Sequence, residues 1–301
     1  MNTTKKTLMK IMIMTVLSLT FVCGGCKKDK GPKWQEAEFE MIFSPNTENR
    51  KVSFVATVNG KITIDWGDDS IEEFTVNEVP DFFEHTYDIV NFKTISVKAN
   101  GLQHFYFGGE AVAKWYGILE RIKLKNCPDL NLLCCNHGSL EELDLSNCPA
   151  LKYLNCGNNR LTLLNVAKNS KLDILECGNN KLMSLNLQNN EKLTYLSCGS
   201  NQLTSLDVDN NIILKSLYCG NNLLTSLDVS NNKALRNCSC TKNLLSSEEL
   251  NSLFNDLPIT QPISNSYAEI CFYDNPGSED CDATIATKKG WQVIDKPAWL
   301  K

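Results

Sequence analysis

Three acidic residues crowd one short turn, Asp65, Asp68 and Asp69, and carboxylates at that spacing could gather round a calcium ion. An all-protein calcium site needs six or more oxygens. Aspartate in a tight turn more often bonds its own backbone, so the turn reads as structural, with calcium as the open alternative. Acid–base or nucleophilic chemistry would need a histidine beside a partner. The three histidines, His85, His104 and His137, fall in separate segments, and His85 reads as bonding within its own sheet. No HExxH, GxSxG, phosphate-loop glycine pattern or His/Cys zinc spacing occurs. Asp144, Asp207 and Asp228 recur as surface carboxylates, but glycoside hydrolysis requires two carboxylates fixed in a cleft. The chain reads as no enzyme, with no cofactor and no metal.

Sulfur is the other candidate for chemistry. Fourteen cysteines would signal a disulfide scaffold in a short secreted chain. Here Cys135, Cys156, Cys177, Cys198, Cys219 and Cys240 recur every 21 residues, as a packing position does. Cysteine in such a place acts as a small apolar side chain. Stacked coils sit roughly 4.7–4.9 Å apart, yet in-register parallel side chains orient their Cβ vectors poorly for an S–S bond. The reading is a ladder of buried free thiols. Cys271 and Cys281 lie outside the period and either pair in an oxidising compartment or stay free.

The elements that position this ladder are four copies of one pattern: LKYLNCGNNRLTLLNVAKNSK, LDILECGNNKLMSLNLQNNEK, LTYLSCGSNQLTSLDVDNNII and LKSLYCGNNLLTSLDVSNNKA. Strand alternation turns Leu151, Leu154 and Cys156 inward and Tyr153, Asn155 and Gly157 outward. Leu161, Leu164 and Val166 complete the interior of the coil. Two asparagine columns keep the same period, Asn159, Asn180, Asn201, Asn222 and Asn243, then Asn169, Asn190, Asn211 and Asn232. Their amides are placed to bond the backbone where each coil turns a corner. Cys127 and Cys148 hold the second slot in the early coils.

The outward columns are Leu132, Tyr153, Ile174 and Tyr195, then Asn155, Glu176, Ser197 and Tyr218. Tyrosine offers contact area with a polar tip, which suits a protein or glycan partner. Tyrosine and isoleucine also favour strand surfaces for their own sake. The neighbouring lane of Gly157, Gly178, Gly199 and Gly220 is either a flat platform or a backbone demand of the corner.

A fixed period of this length marks a solenoid. The pattern resembles bacterial leucine-rich repeat proteins, and more narrowly the cysteine-bearing repeats of some internalins and of Bacteroidetes surface lipoproteins. Upstream, six alternating segments read as strands: Glu38–Phe43, Val52–Val58, Lys61–Asp65, Glu72–Val76, Phe83–Tyr87 and Thr94–Ala99. Asn59-Gly60 and Gly67-Asp68-Asp69 read as tight turns between them. Ile64-Asp65-Trp66-Gly67-Asp68, followed by His85-Thr86-Tyr87, resembles the PKD-type immunoglobulin-like domain. Leu102–Phe107 and Leu119–Leu124 already carry the leucine-repeat shape, with an insertion between them holding a turn of helix near residues 111–116. Downstream, Ser246-Ser247-Glu248-Glu249 is a capping-box start, and Leu250, Leu253, Phe254 and Leu257 share one helical face. Together with Asn275-Pro276-Gly277 and Lys289-Gly290-Trp291, this resembles the closing segment of the same lipoprotein repeats. The implied fold is mainly β: a PKD-like β-sandwich over 36–107, a leucine-rich repeat solenoid over 108–245 and a small α/β cap over 246–301.

Met1–Gly25 reads as a signal peptide. Lys5, Lys6 and Lys10 precede the apolar run Ile11–Val22, which is too short to span a bilayer. Gly24-Gly25-Cys26 resembles a lipobox, which implies that Cys26 carries lipid, with residues 26–35 as a tether. Lys27 implies sorting to the outer membrane, facing either the cell surface or the periplasm. Removing residues 1–25 takes away three lysines and moves the formal charge from −5 to about −8, which disfavours a nucleic-acid partner. The functional reading is a non-catalytic envelope lipoprotein that recognises or adheres to a protein or glycan. Its face would comprise Tyr153, Asn155, Ile174, Glu176, Tyr195, Ser197 and Tyr218. The alternative is an accessory envelope component whose repeats act as a spacer without a discrete ligand.

Overall fold

The computed structural model describes residues 35–44, 50–77, 79–88, 91–107, 118–261 and 267–294. The signal segment, Cys26, the tether up to residue 34 and the expected helical turn at 111–116 lie outside the described residues. Among those described, no helix is long and apolar enough to cross a membrane. The chain forms two compact units, residues 1–140 and 141–301.

In the first unit the alternating segments form β1 (Glu36–Ser44), β2 (Lys51–Thr57), β3 (Asn59–Asp65), β4 (Ile71–Asn77), β5 (Asp81–Thr86) and β6 (Lys93–Asn100). Next come β7 (His104–Tyr106), β8 (Ile118–Asn126) and β9 (Leu132–Cys134). One antiparallel sheet runs in the order β4-β3-β6-β1-β8. The other places β2 between β5 and β7, with β9 parallel to β7. Aromatic contacts join the two: Phe39 meets Phe105 at 4.9 Å between ring centroids, Phe54 meets Trp66 at 5.9 Å, and Phe74 meets Phe83 at 5.2 Å. Burying rings of this size on facing sheets is the main stabilising term for such a layer pair.

Two local expectations change. Asn59-Gly60 is not a hairpin turn, because β2 and β3 belong to different sheets; the chain crosses between layers there, with Gly60 at φ +117°. Ile118–Asn126 does not resume the repeat ladder. It pairs antiparallel with β1, matching Phe39 to Leu124 and Met41 to Ile122. Its alternation of Leu119, Ile122 and Leu124 buries as well against a flat sheet as inside a coil, so the local pattern alone does not decide between them.

The second unit repeats one coil. Strands β10 (Tyr153–Asn155), β11 (Ile174–Glu176), β12 (Tyr195–Ser197), β13 (Ser216–Tyr218) and β14 (Asn237–Ser239) pair in parallel and in register, Tyr153 to Ile174 to Tyr195 to Ser216 to Asn237. Leu151, Leu154, Cys156, Leu161, Leu164 and Val166 are all buried, as are their counterparts in later coils. Cys135 in the first unit and Cys156, Cys177, Cys198, Cys219 and Cys240 in the second are fully buried and outside any disulfide, and burial drives the ionisation of Cys177 and Cys198 far above the ordinary thiol range.

Each coil turns its corner on a left-handed residue: Asn158, Asn179, Ser200, Asn221 and Lys242 all have φ between +53° and +57°. Asparagine tolerates that region better than most side chains. The next residue in each coil ties neighbours together. Asn201 donates through Nδ2 to the carbonyls of Cys177 at 3.1 Å and Cys198 at 3.0 Å, and its Oδ1 accepts from the Leu182 amide at 3.0 Å. In the other column Asn211 donates to the carbonyls of Asn190 at 2.9 Å and Leu187 at 3.4 Å.

After the last full coil comes α1 (Ser247–Asp256), whose N-cap Ser246 accepts from the Glu249 amide. Leu250, Leu253 and Phe254 are buried, and Phe254 meets Phe272 at 4.9 Å. Lys289 closes the helix end by donating to the carbonyl of Leu257 at 2.8 Å. Then β15 (Ala268–Cys271), α2 (Thr284–Lys288) and β16 (Trp291–Val293) follow, with β15 parallel to β14 and β16 parallel to β15. Asn275 takes the next rung of the asparagine column: it donates to the Cys240 carbonyl at 3.0 Å and accepts from the Leu245 amide at 3.2 Å. Asp274 before it is left-handed at φ +61°. This segment therefore copies a coil corner across a 32-residue gap instead of the 21-residue step.

Candidate binding face

The outward positions of β10 to β15 form one continuous strip. Its first column is Tyr153, Ile174, Tyr195, Ser216, Asn237 and Glu269; its second is Asn155, Glu176, Ser197, Tyr218, Ser239 and Cys271. Tyr218 is exposed, and Tyr153, Asn155, Ile174, Glu176, Tyr195 and Ser197 are half-buried. Leu132, expected to head the first column, is 2% exposed within the first unit and presents no surface. Glu269 and Cys271 are members that the repeat period does not reveal. Their strand lies beyond the inserted helix α1, and only its pairing with β14 brings them into line.

Within the strip the side chains hold one another. The Tyr153 hydroxyl donates to Glu176 Oε1 at 2.5 Å, and Asn155 Nδ2 donates to Glu176 Oε2 at 3.3 Å. Asn155 is itself oriented by accepting from the Gly157 amide at 3.1 Å. One coil on, the rings of Tyr195 and Tyr218 sit 5.5 Å apart at 45°, within the range of favourable aromatic pairs. Burial first, and then the charge of Glu176, raises the ionisation of the Tyr195 hydroxyl; burial and Glu269 do the same for Tyr218. Both phenols stay neutral donors at physiological pH.

The glycine lane beside the strip answers to close approach. A Cβ on Gly157, Gly178 or Gly199 would lie 3.1, 3.0 or 2.9 Å from the carbonyl oxygen of the next coil's glycine. None of the three has a positive φ. Coil-to-coil spacing at this corner is tight for a Cβ, so the flat lane follows from packing.

The other acidic candidates are engaged in turns. Asp65 Oδ1 accepts from the Gly67 amide at 2.9 Å. Asp68 accepts from the Ser70 amide and hydroxyl through Oδ1, and Oδ2 meets His85 Nε2 at 2.7 Å. Burial works to raise the Asp68 carboxyl, but the bonds from Ser70 and His85 outweigh it and hold it below its ordinary value. His85 stacks on Trp66 at 4.9 Å and 15°, and the Tyr87 hydroxyl donates to the Trp66 carbonyl at 2.9 Å. Serine and histidine both bond the carboxylate instead of each other, so this is no nucleophile–base pair. Among the described residues no group of three or more His, Cys, Asp or Glu side chains is placed to hold a metal.

Asp144, Asp207 and Asp228 each accept from the amide two residues on, at 2.9, 3.0 and 2.7 Å. Asn165 and Asn186 do the same work at 3.0 Å in their own coils, so the turn needs an oxygen and not a charge. His104 is buried, and burial holds its ring down to about 4. His137 has φ +58° at a chain position in step with the left-handed corner column. Cys271 and Cys281 are half-buried free thiols, and Cys281 donates to the Ser278 carbonyl at 3.5 Å.

No family model matches the chain, and no curated protein matches it. Among solved structures it is similar to the functional domain of InlJ from Listeria monocytogenes, which includes a cysteine ladder. Identity there is 32% over 55% of this chain and 36% of that one, with a TM-score of 0.46. An internalin, inlF, from Listeria monocytogenes is 25% identical over 56% of this chain and 48% of its own, TM-score 0.48. The leucine-rich effector protein YopM of Yersinia pestis is 20% identical over 58% of this chain and 57% of its own, TM-score 0.33. The chain spans about a third to a half of the length of the two Listeria structures. Its own geometry, short parallel strands stacked every 21 residues with leucine and cysteine inside, makes the second unit a leucine-rich repeat solenoid.

Proposed function

We propose that this chain is a non-catalytic cell-envelope lipoprotein that binds a protein or glycan through the outward strand face of its repeats. The observation that carries the reading is the strip itself. Tyrosines at Tyr153, Tyr195 and Tyr218 stand on a backbone ladder that is bonded from coil to coil, and Glu176 is locked by two neutral donors. Groups held before a partner arrives lose little freedom on binding, which favours recognition. In this reading Cys26 carries the lipid anchor, the outer membrane is the site of display, and residues 36–107 are a PKD-like module. Residues 246–301 act as an α/β cap that covers the apolar end of the last coil.

The test is capture of envelope and host-surface proteins, together with a glycan array, by the wild type and by the Tyr153→Ala, Tyr195→Ala, Tyr218→Ala triple variant. Binding that disappears in the triple variant supports the face. Binding retained in full moves the partner site elsewhere, and no binding by either form favours the spacer reading. Protease treatment of intact cells separates surface from periplasmic display.

A further inference from the structure

Resting on the strand face as the binding surface, we infer that its centre receives a single cationic side chain, arginine or lysine, from a protein partner. The parallel register sets Glu176, Tyr195 and Tyr218 on consecutive strands and Glu269 two strands beyond Tyr218, all at outward positions. Two carboxylates thus bracket a pair of aromatic rings 5.5 Å apart. Glu176 is held by a phenol and an amide, neither of which cancels its charge. Among the described residues no lysine or arginine lies within ion-pair distance of Glu176 or Glu269.

Ring faces attract cations through their quadrupole, and a carboxylate alongside adds a charge-assisted hydrogen bond. A guanidinium or ammonium satisfies both groups at once. A neutral sugar would stack on the rings and leave both charges unmatched; an anionic sugar would be repelled. Flanking lysines disfavour a run of cations, with Asp173 the one carboxylate in their column. Lys152 and Lys215 are exposed in the adjacent column, where they oppose a polybasic stretch, while Arg236 is tied to the Gln261 carbonyl at 2.9 Å.

The experiment titrates the full chain, labelled with ¹⁵N, with acetyl-Gly-Arg-Gly-amide, its lysine counterpart, and the citrulline counterpart, which keeps the shape of arginine without its charge. The expected result is shift changes confined to residues of β11 to β15, with citrulline binding about tenfold more weakly than arginine. Glu176→Gln with Glu269→Gln should weaken arginine about tenfold while the chain stays folded, which circular dichroism checks, since glutamine keeps an oxygen that can accept from Tyr153. Equal binding of arginine and citrulline, or an unchanged titration in the double variant, overturns the assignment. A captured partner lost in the tyrosine triple variant but kept by the double glutamine variant also overturns it, while leaving the face as the binding surface. A partner kept by both variants overturns the two readings together.

Discussion

Asn201 and Asn211 sit one in each asparagine column, and replacing them by alanine should give very different losses of stability. In Asn201→Ala the Leu182 amide, fully buried, loses its acceptor, and two bonds to the Cys177 and Cys198 carbonyls vanish. Those carbonyls keep other donors, Asn180 Nδ2 at 3.1 Å and Asn222 Nδ2 at 3.2 Å. The cost is therefore one orphaned buried donor, about 1–3 kcal/mol, plus two ordinary bonds of about 1 kcal/mol each, or roughly 4 kcal/mol. In Asn211→Ala two donor bonds also go, but Asn190 and Leu187 carbonyls keep backbone partners at 3.0 and 2.9 Å. Asn211 Oδ1 is itself buried without a partner, so its removal returns about 1–3 kcal/mol and the net change is close to zero, within about 1 kcal/mol either way. Both variants remove the same atoms from a coil corner, so the contrast of about 4 kcal/mol rests mainly on hydrogen bonding. Urea unfolding followed by circular dichroism measures it, with unchanged slope as the check on a single transition. Equal losses, or a larger loss for Asn211, would refute the accounting and show that the orphaned oxygens are satisfied in solution by water.

Three further outcomes follow from named contacts. Gly199→Ala should cost about 1–3 kcal/mol by thermal melting, because its new Cβ would sit 2.9 Å from the Gly220 carbonyl oxygen; a neutral effect would mean the coils separate freely at that corner. Burial holds His104 down to about 4, against about 6.5 in the unfolded chain. The unfolded form therefore takes up its proton first as pH falls. Stability is full above about pH 6.5 and declines towards pH 4 by about 3 kcal/mol, a slope that His104→Phe should remove. Of the twelve described thiols, only Cys271 and Cys281 should be labelled by maleimide in the native state. Early modification at Cys177 or Cys198, read by peptide mass, would contradict a closed ladder.

Much of the second unit was legible as text. A 21-residue period assigns each side chain to the inside or the outside, because a stacked coil offers every repeat the same surroundings. Leu154 and Cys156 inside, Tyr153 and Asn155 outside, and both asparagine columns follow from that alone. The strands of the first unit were legible too, from alternation. Their partners were not: Ile118–Asn126 has a repeat-like pattern yet pairs with β1, and Asn59-Gly60 has a hairpin-like turn yet joins two sheets.

Pairing between distant segments is a choice among many sterically allowed partners, and local composition is the same for several of them. Only the folded chain settles that choice. It brings Asn275 to the next rung after Asn243, sets Glu269 and Cys271 beside Asn237 and Ser239, and leaves Glu176 gripped by Tyr153 and Asn155. The sequence by itself determined the coil and what it buries, through periodicity. Tertiary structure decided where the coil ends and which charges meet on its face, because those depend on contacts that no repeat encodes.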